Sequence, residues 1–222
     1  MDATVDEKDI AVIELYTWTT PNGEKPIIML EEVKLDYELH MVNIGADEQR
    51  RPEFLAISPN GKIPAIVDKD DETGIPIFES GAILVYLAEK AGQLLPASGE
   101  ERAETLSWTF FQAGHIGPML GQWFHFKNRD EPIAYAVERF RTESLRSMGV
   151  LNERLKDRDF LTGTYSIADV MNFSWVKGGM AGLKDYGTGD FTALAAWVER
   201  IGARPAVKQA LEKLAAAKRE HE

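Results

Sequence analysis

The chain has 222 residues, enough for one large or two small domains, and 44% of them are hydrophobic, enough for a buried core. Its net charge of −11 argues against nucleic acid as a main partner, because phosphate binding needs a basic face. It contains no cysteine, which excludes disulfides, cysteine nucleophiles and thiolate metal sites. No apolar run approaches a membrane span, and Met1–Ile10 carry no signal-peptide core. The expectation is therefore a cytoplasmic protein without a membrane partner, with a frayed extension over residues 1–11.

Val12–Tyr16 is a short β-rich run and reads as the first strand. Thr17–Asn22 is a polar loop. Gly23–Val33 places apolar residues at Ile27, Ile28, Leu30 and Val33, which suits a helix, with Pro26 tolerated near its first turn. Tyr37–Val42 reads as a second strand and Pro52–Ile57 as a short helix. Asn60-Gly61 is a turn signal, because both residues tolerate positive φ. The apolar runs Ile63–Val67 and Ile75–Phe78 flank the polar turn Lys69–Gly74 and read as a β-hairpin. Pro64 is out of place within a strand pattern, since proline removes a ladder donor. Glu79-Ser80-Gly81 then opens an amphipathic helix to Ala91; taken alone, an acid and a hydroxyl there are a helix cap.

Gly92–Gly99 is loop-like, and everything after it reads helical. Glu100–Phe126 is one long helix expected to bend near Gly114, Gly117 and Pro118. Ile133–Leu155 is another, and Ser166-Ile167-Ala168-Asp169 has a capping-box pattern read as structural. Phe191–Ile201 ends at Gly202, and Pro205 starts a last helix. The division expected is residues 12–91, a linker at 92–99, and an all-helical unit over 100–222. His115 and His125 lack a ligand constellation, so no metal site is expected.

The order of Pro64, Glu79 and Ser80 resembles the glutathione-binding half of cytosolic glutathione transferases. That resemblance implies a thioredoxin-like α/β domain followed by an all-α domain. It implies that Ile63, before a cis Pro64, pairs with the cysteinyl backbone of glutathione, and that Glu79 and Ser80 take its γ-glutamyl group. Gln49 and Lys62 align with contacts to the glycyl end, although a solvated loop charge explains Lys62 nearly as well.

The loop Thr19-Thr20-Pro21-Asn22-Gly23 is similar to that of nu-class bacterial transferases, in which Thr and Asn face the thiol or disulfide. On that likeness Thr20 and Asn22 are the catalytic candidates. The alternative is that they only end a strand and cap a helix. Gly117–Gln122 and Ala134–Phe140 also resemble nu-class segments, which makes Arg139 a candidate contact to a second glutathione. Its alternative is an intrahelical pair with Glu143. Trp18, Trp123, His125 and Phe126 are candidate walls of a substrate pocket, or simply core.

The resemblance implies a homodimer that uses one or two glutathiones as co-substrate. The reaction would be disulfide reduction, or thioether formation or cleavage on an electrophile, including aromatic, lignin-derived ones. The competing reading is a non-catalytic transferase-like regulatory or stress-associated binding protein.

Overall fold

The computed structural model describes residues 13–70 and 74–222. The expected frayed head and the tip of the Lys69–Gly74 turn lie outside the described residues.

A four-stranded mixed sheet forms the first unit. Its strands are β1 (Ile13–Thr17), β2 (Tyr37–Met41), β3 (Ala65–Asp68) and β4 (Ile75–Phe78), in the order β2-β1-β3-β4. β1 runs parallel to β2, and β3 is antiparallel to both β1 and β4. A parallel β1–β2 pair needs a crossover, which α1 (Glu24–Val33) supplies. Pro76 sits in the edge strand β4, where its missing N–H costs no ladder bond on the open side. The Ile63–Pro64 peptide immediately before β3 is cis.

Alternation along β1 decides how the sheet is covered. Ile13 and Leu15 point into a core that they share with Ile66, α1 and α3 (Ser80–Ala91). Tyr16 points the other way, toward a small cluster of Val42, Phe54 and Ala65 beside α2 (Pro52–Ile57). The first core is continuous with that of the helical unit, so the two share one apolar interior.

The expected long helix is two helices, α4 (Gly99–Phe111) and α5 (Gly117–Lys127), joined by a π-helical turn over Gln112–Ile116. Pro118 has no N–H for the carbonyl four residues earlier, so regular α bonding fails where the bend was expected. α6 (Ala134–Arg154) follows. α7 (Ile167–Gly182) runs through the middle of the unit and opens with the complete Ser166–Asp169 capping box. The buried Asp169 carboxylate accepts four bonds: from Leu161 N (3.0 Å), Trp197 Nε1 (2.8 Å), and the N and Oγ of Ser166 (3.0 and 3.3 Å). α8 (Thr192–Gly202) and α9 (Pro205–His221) complete the chain.

α9 turns back onto the sheet unit and packs along α1. At its start, Arg204 grips Glu32 through Nε and a terminal nitrogen (2.6 and 2.7 Å), while its guanidinium lies 3.7 Å from the Tyr165 ring centroid. Further along, Lys213 pairs with Glu31 at 2.6 Å. None of the described helices is long and apolar enough to cross a membrane.

Candidate functional site

A cavity of about 1060 Å³ opens between the sheet unit and the helical unit. Asn22 and Lys25 at the start of α1, Lys62, Ile75 and Ile77, and the start of α3 from Glu79 to Ala82 line one side. Thr109, Phe110, Gln112, Pro118, Gly121, Gln122, Met171 and Trp175 line the other. A second hollow of about 850 Å³ lies between α1, β2 and α9. Of its charged residues, Glu32 pairs with Arg204 and Glu31 with Lys213, while Lys34, Asp36 and Glu220 also line it.

The loop from β1 to α1 is wound tightly enough to fix Asn22. The buried Thr17 hydroxyl donates to Gly23 O (2.9 Å), Gly23 N donates to Thr20 Oγ1 (3.1 Å), and Glu24 N donates to Thr20 O (2.9 Å). A Cβ on Gly23 would sit 2.0 Å from the Trp18 carbonyl oxygen, so only glycine fits there.

Asn22 Oδ1 accepts from the indole Nε1 of Trp175 (2.7 Å) and from Lys25 Nζ (2.9 Å). Lys25 is fully buried, and its ammonium also reaches Ser80 Oγ (3.2 Å) and Gln112 Oε1 (3.0 Å). Burial pushes this ammonium down to about 7, opposed by the charge of Glu79.

Glu79 is held at φ 71°, a backbone region that residues other than glycine seldom occupy. The strained turn leaves its carboxylate exposed at the mouth while Ser80, next to it, is buried. Ser80, Gly81 and Ala82 of the first turn of α3 line the cavity, and a helix start favours an anion. An acid for an ammonium and a helix start for a carboxylate thus lie side by side, which is the charge pattern of an amino-acid head group.

Of the residues singled out from sequence, Asn22, Lys62, Glu79 and Ser80 meet at this cavity. Thr20 sits behind Asn22, its hydroxyl oxygen taken by Gly23 N. Pro64 is buried before β3, and Ile63 packs against the cluster of Val42, Phe54 and Ala65. Gln49 lies on the turn before α2, with its Nε2 3.4 Å from Asp47. Arg139 lines a separate hollow of about 380 Å³ with Met119 and Tyr135, and Glu143 is taken by Arg146 rather than by Arg139.

The aromatic candidates are open to two readings, wall or core, and none of the four lines this cavity. Trp123 is fully buried in the core, and Trp18 is buried edge-on to His221 of α9. Phe126 stacks on Phe140, with His125 beside it, away from the cavity. Gly117, Pro118, Gly121 and Gln122 line the cavity; Trp123 lies on the opposite side of α5, and His125 and Phe126 stand a turn further along the helix. Phe110, Met171 and Trp175 supply the apolar wall instead.

Tyr16 is turned away too. It stacks on His40 with centroids 4.6 Å apart, and its hydroxyl donates to Glu14 at 3.1 Å. Burial and Glu14 push it up to about 12, so it stays a phenol. Near it, Glu14, Glu38 and His40 bring metal-ligand atoms within 4.8 Å of one another, but the Lys69 ammonium already serves as counter-ion to Glu14.

Lys25, Gln112 and Trp175 are site residues that sequence reading missed. Lys25 carried a signal: it stands three and four positions before Ile28 and Met29, on the buried face of α1, where a charge is out of place. Trp175 meets Asn22 across 153 positions of sequence, and no local pattern announces that.

The chain has relatives among known proteins. The chain matches the model of the glutathione S-transferase N-terminal domain over residues 11–89 and that of the C-terminal domain over residues 119–205. It belongs to the glutathione S-transferase family. Among its relatives in that family is the disulfide-bond oxidoreductase YfcG of Escherichia coli (strain K12), 48% identical over 207 residues, which span 91% of this chain and 95% of that protein. Another is the disulfide-bond oxidoreductase YghU of the same strain, 36% identical over 212 residues and covering 89% and 73% of the two chains. A glutathione transferase family member from Pseudomonas fluorescens Pf-5, solved with two glutathione bound, superposes with a TM-score of 0.86 at 42% identity, covering 91% of this chain and 93% of that one. A glutathione transferase from Pseudomonas putida, solved with one glutathione disulfide per subunit, gives 0.85 at 42% identity and 92% of each chain.

Proposed function

We propose that this transferase is a glutathione-dependent disulfide reductase that works with glutathione's own thiols. The observation that carries this reading is Asn22. It lines the cavity and two donors hold its Oδ1, so its Nδ2 is the end that is left to donate to a ligand. A sulfur anion placed there receives an N–H bond that favours thiolate over thiol.

Glu79 pairs with the γ-glutamyl ammonium of glutathione, Ser80 and the start of α3 hold the adjacent carboxylate, and Lys62 lies toward the glycyl carboxylate. Ile63 offers its backbone to the cysteinyl unit. Thr20, whose hydroxyl proton stays free while its oxygen accepts from Gly23, supports the sulfur from behind Asn22.

The reaction needs two exchanges. The thiolate of the first glutathione attacks one sulfur of the substrate disulfide, that S–S bond breaks, and one thiol leaves. A second glutathione thiolate then attacks the glutathionyl sulfur of the mixed disulfide and releases the other thiol and glutathione disulfide. Two electrons pass to the substrate, and no protein cysteine is needed, in keeping with a chain that has none. The cavity, at about 1060 Å³, is at the large end of ligand pockets and has room beyond one tripeptide. The same approach serves a carbon electrophile, with a thioether as product.

A turnover assay with glutathione and a small dialkyl disulfide tests this. Wild type is expected to turn over, Asn22→Ala to lose most of kcat, and Glu79→Ala to raise KM for glutathione. Turnover unchanged by either substitution would overturn the reading.

A further inference from the structure

Asn22 faces two ways, and which end of its carboxamide meets the ligand decides whether the site offers a donor or an acceptor. Trp175 Nε1, 2.7 Å away, can only donate, so the atom it meets must be the oxygen. Lys25 Nζ at 2.9 Å imposes the same choice. Trp175 reaches Asn22 from α7 across the cavity, whereas Lys25 stands three positions further along the same segment, at the inner wall of the cavity, with no exposed surface.

Lys25 is matched to this task in either protonation state. As an ammonium it has three N–H bonds for three acceptors: Asn22 Oδ1, Ser80 Oγ and Gln112 Oε1. As a neutral amine it has two, and the two amide oxygens are the partners that can only accept, while Ser80 can reverse its bond and donate. The surroundings keep the cluster in place. The π turn swings Gln112 inward, and Gly117 leaves room for its amide, since a Cβ there would lie 2.7 Å from Gln112 Nε2.

We propose that Lys25 is a positioning residue of this site, which locks the Asn22 carboxamide with Nδ2 toward the sulfur of the bound thiol through its buried bonds to Asn22 and Gln112. The proposal rests on the glutathione reading given above. It differs from a packing role because it makes Lys25 act through Asn22. Losing Lys25 frees the carboxamide to turn its oxygen toward the sulfur, which repels a thiolate.

A double-mutant cycle tests it. Lys25→Met keeps the apolar stem and removes the nitrogen, Asn22→Ala removes the amide, and the third protein carries both. The readouts are the pH titration of ultraviolet thiolate absorbance in the glutathione complex, kcat and KM. In Lys25→Met the bound thiol is expected to titrate about one unit higher, with kcat near neutral pH about tenfold lower and KM for glutathione within about threefold. In the Asn22→Ala background the same substitution is expected to change neither the thiol titration nor kcat further. Additive effects, or a Lys25→Met enzyme with a wild-type thiol titration, would overturn the proposal. Lys25→Gln replaces Lys25→Met in the cycle if the latter does not fold. Wild-type protein that fails to bind glutathione in calorimetry would remove the glutathione reading itself, and the proposal with it; intact wild-type binding with additive effects would remove the proposal alone.

Discussion

Glu79 occupies a backbone conformation costing about 1–3 kcal/mol for a residue with a side chain. Glycine removes the part of that strain due to Cβ but loses more chain entropy on folding, about 0.5–1 kcal/mol. Glu79→Gly is therefore expected to be at least as stable as wild type in thermal melts, yet to bind glutathione at least tenfold more weakly in calorimetry, because a charge-assisted bond to the ammonium is lost. A destabilised variant with normal affinity would show that the turn serves packing instead. Lys25 makes a second prediction. Its folded value is depressed to about 7 against about 10.4 in an unfolded chain. Its contribution to stability is then present above the unfolded value and lost as pH falls through about 7. Urea unfolding at pH 7 and pH 9.5 should show less gain with pH in Lys25→Met than in wild type. Asn22, Glu79 and Ser80 were legible in the sequence because each sits in a short local motif. Lys25 was not, since its partners Ser80 and Gln112 lie 55 and 87 positions away.

Among the elements, the ones with strong local chemistry were readable: the hairpin around its polar turn, the short helix begun by Pro52, and the capping box of α7. The bend in the long helix was also foreseeable from Gly114, Gly117 and Pro118, but its π geometry was not, because it depends on what Gln112 meets across the site. The aromatic run on α5 left wall and core both open, because Gly117, Pro118, Gly121 and Gln122 form no apolar pattern and only packing reveals which part of the helix lines the cavity. Asp169→Asn tests the capping box. An amide nitrogen there would meet N–H or O–H donors now bonded to oxygen, so at least about 2 kcal/mol of stability should be lost in denaturant unfolding. A change below about 0.5 kcal/mol would mean the four bonds are replaceable.

For the molecule as a whole, α9 joins the two units by lying along α1, and the Arg204–Glu32 pair is its anchor at one end. Glu32 is nearly buried while Arg204 is about one-third exposed, so solvent screens the pair only in part. Arg204→Met is expected to cost about 1–3 kcal/mol and lower the melting temperature, because it leaves a carboxylate without its partner. A two-fold homodimer is the further expectation for the assembly, and sedimentation at micromolar concentration should find it. The account stands or falls on where the ligand's sulfur goes. A crystal structure of the glutathione complex is expected to place the sulfur within about 3.5 Å of Asn22 Nδ2, with the γ-glutamyl group at Glu79 and Ser80. A sulfur remote from Asn22, or glutathione seated in the hollow between α1 and α9, would contradict it.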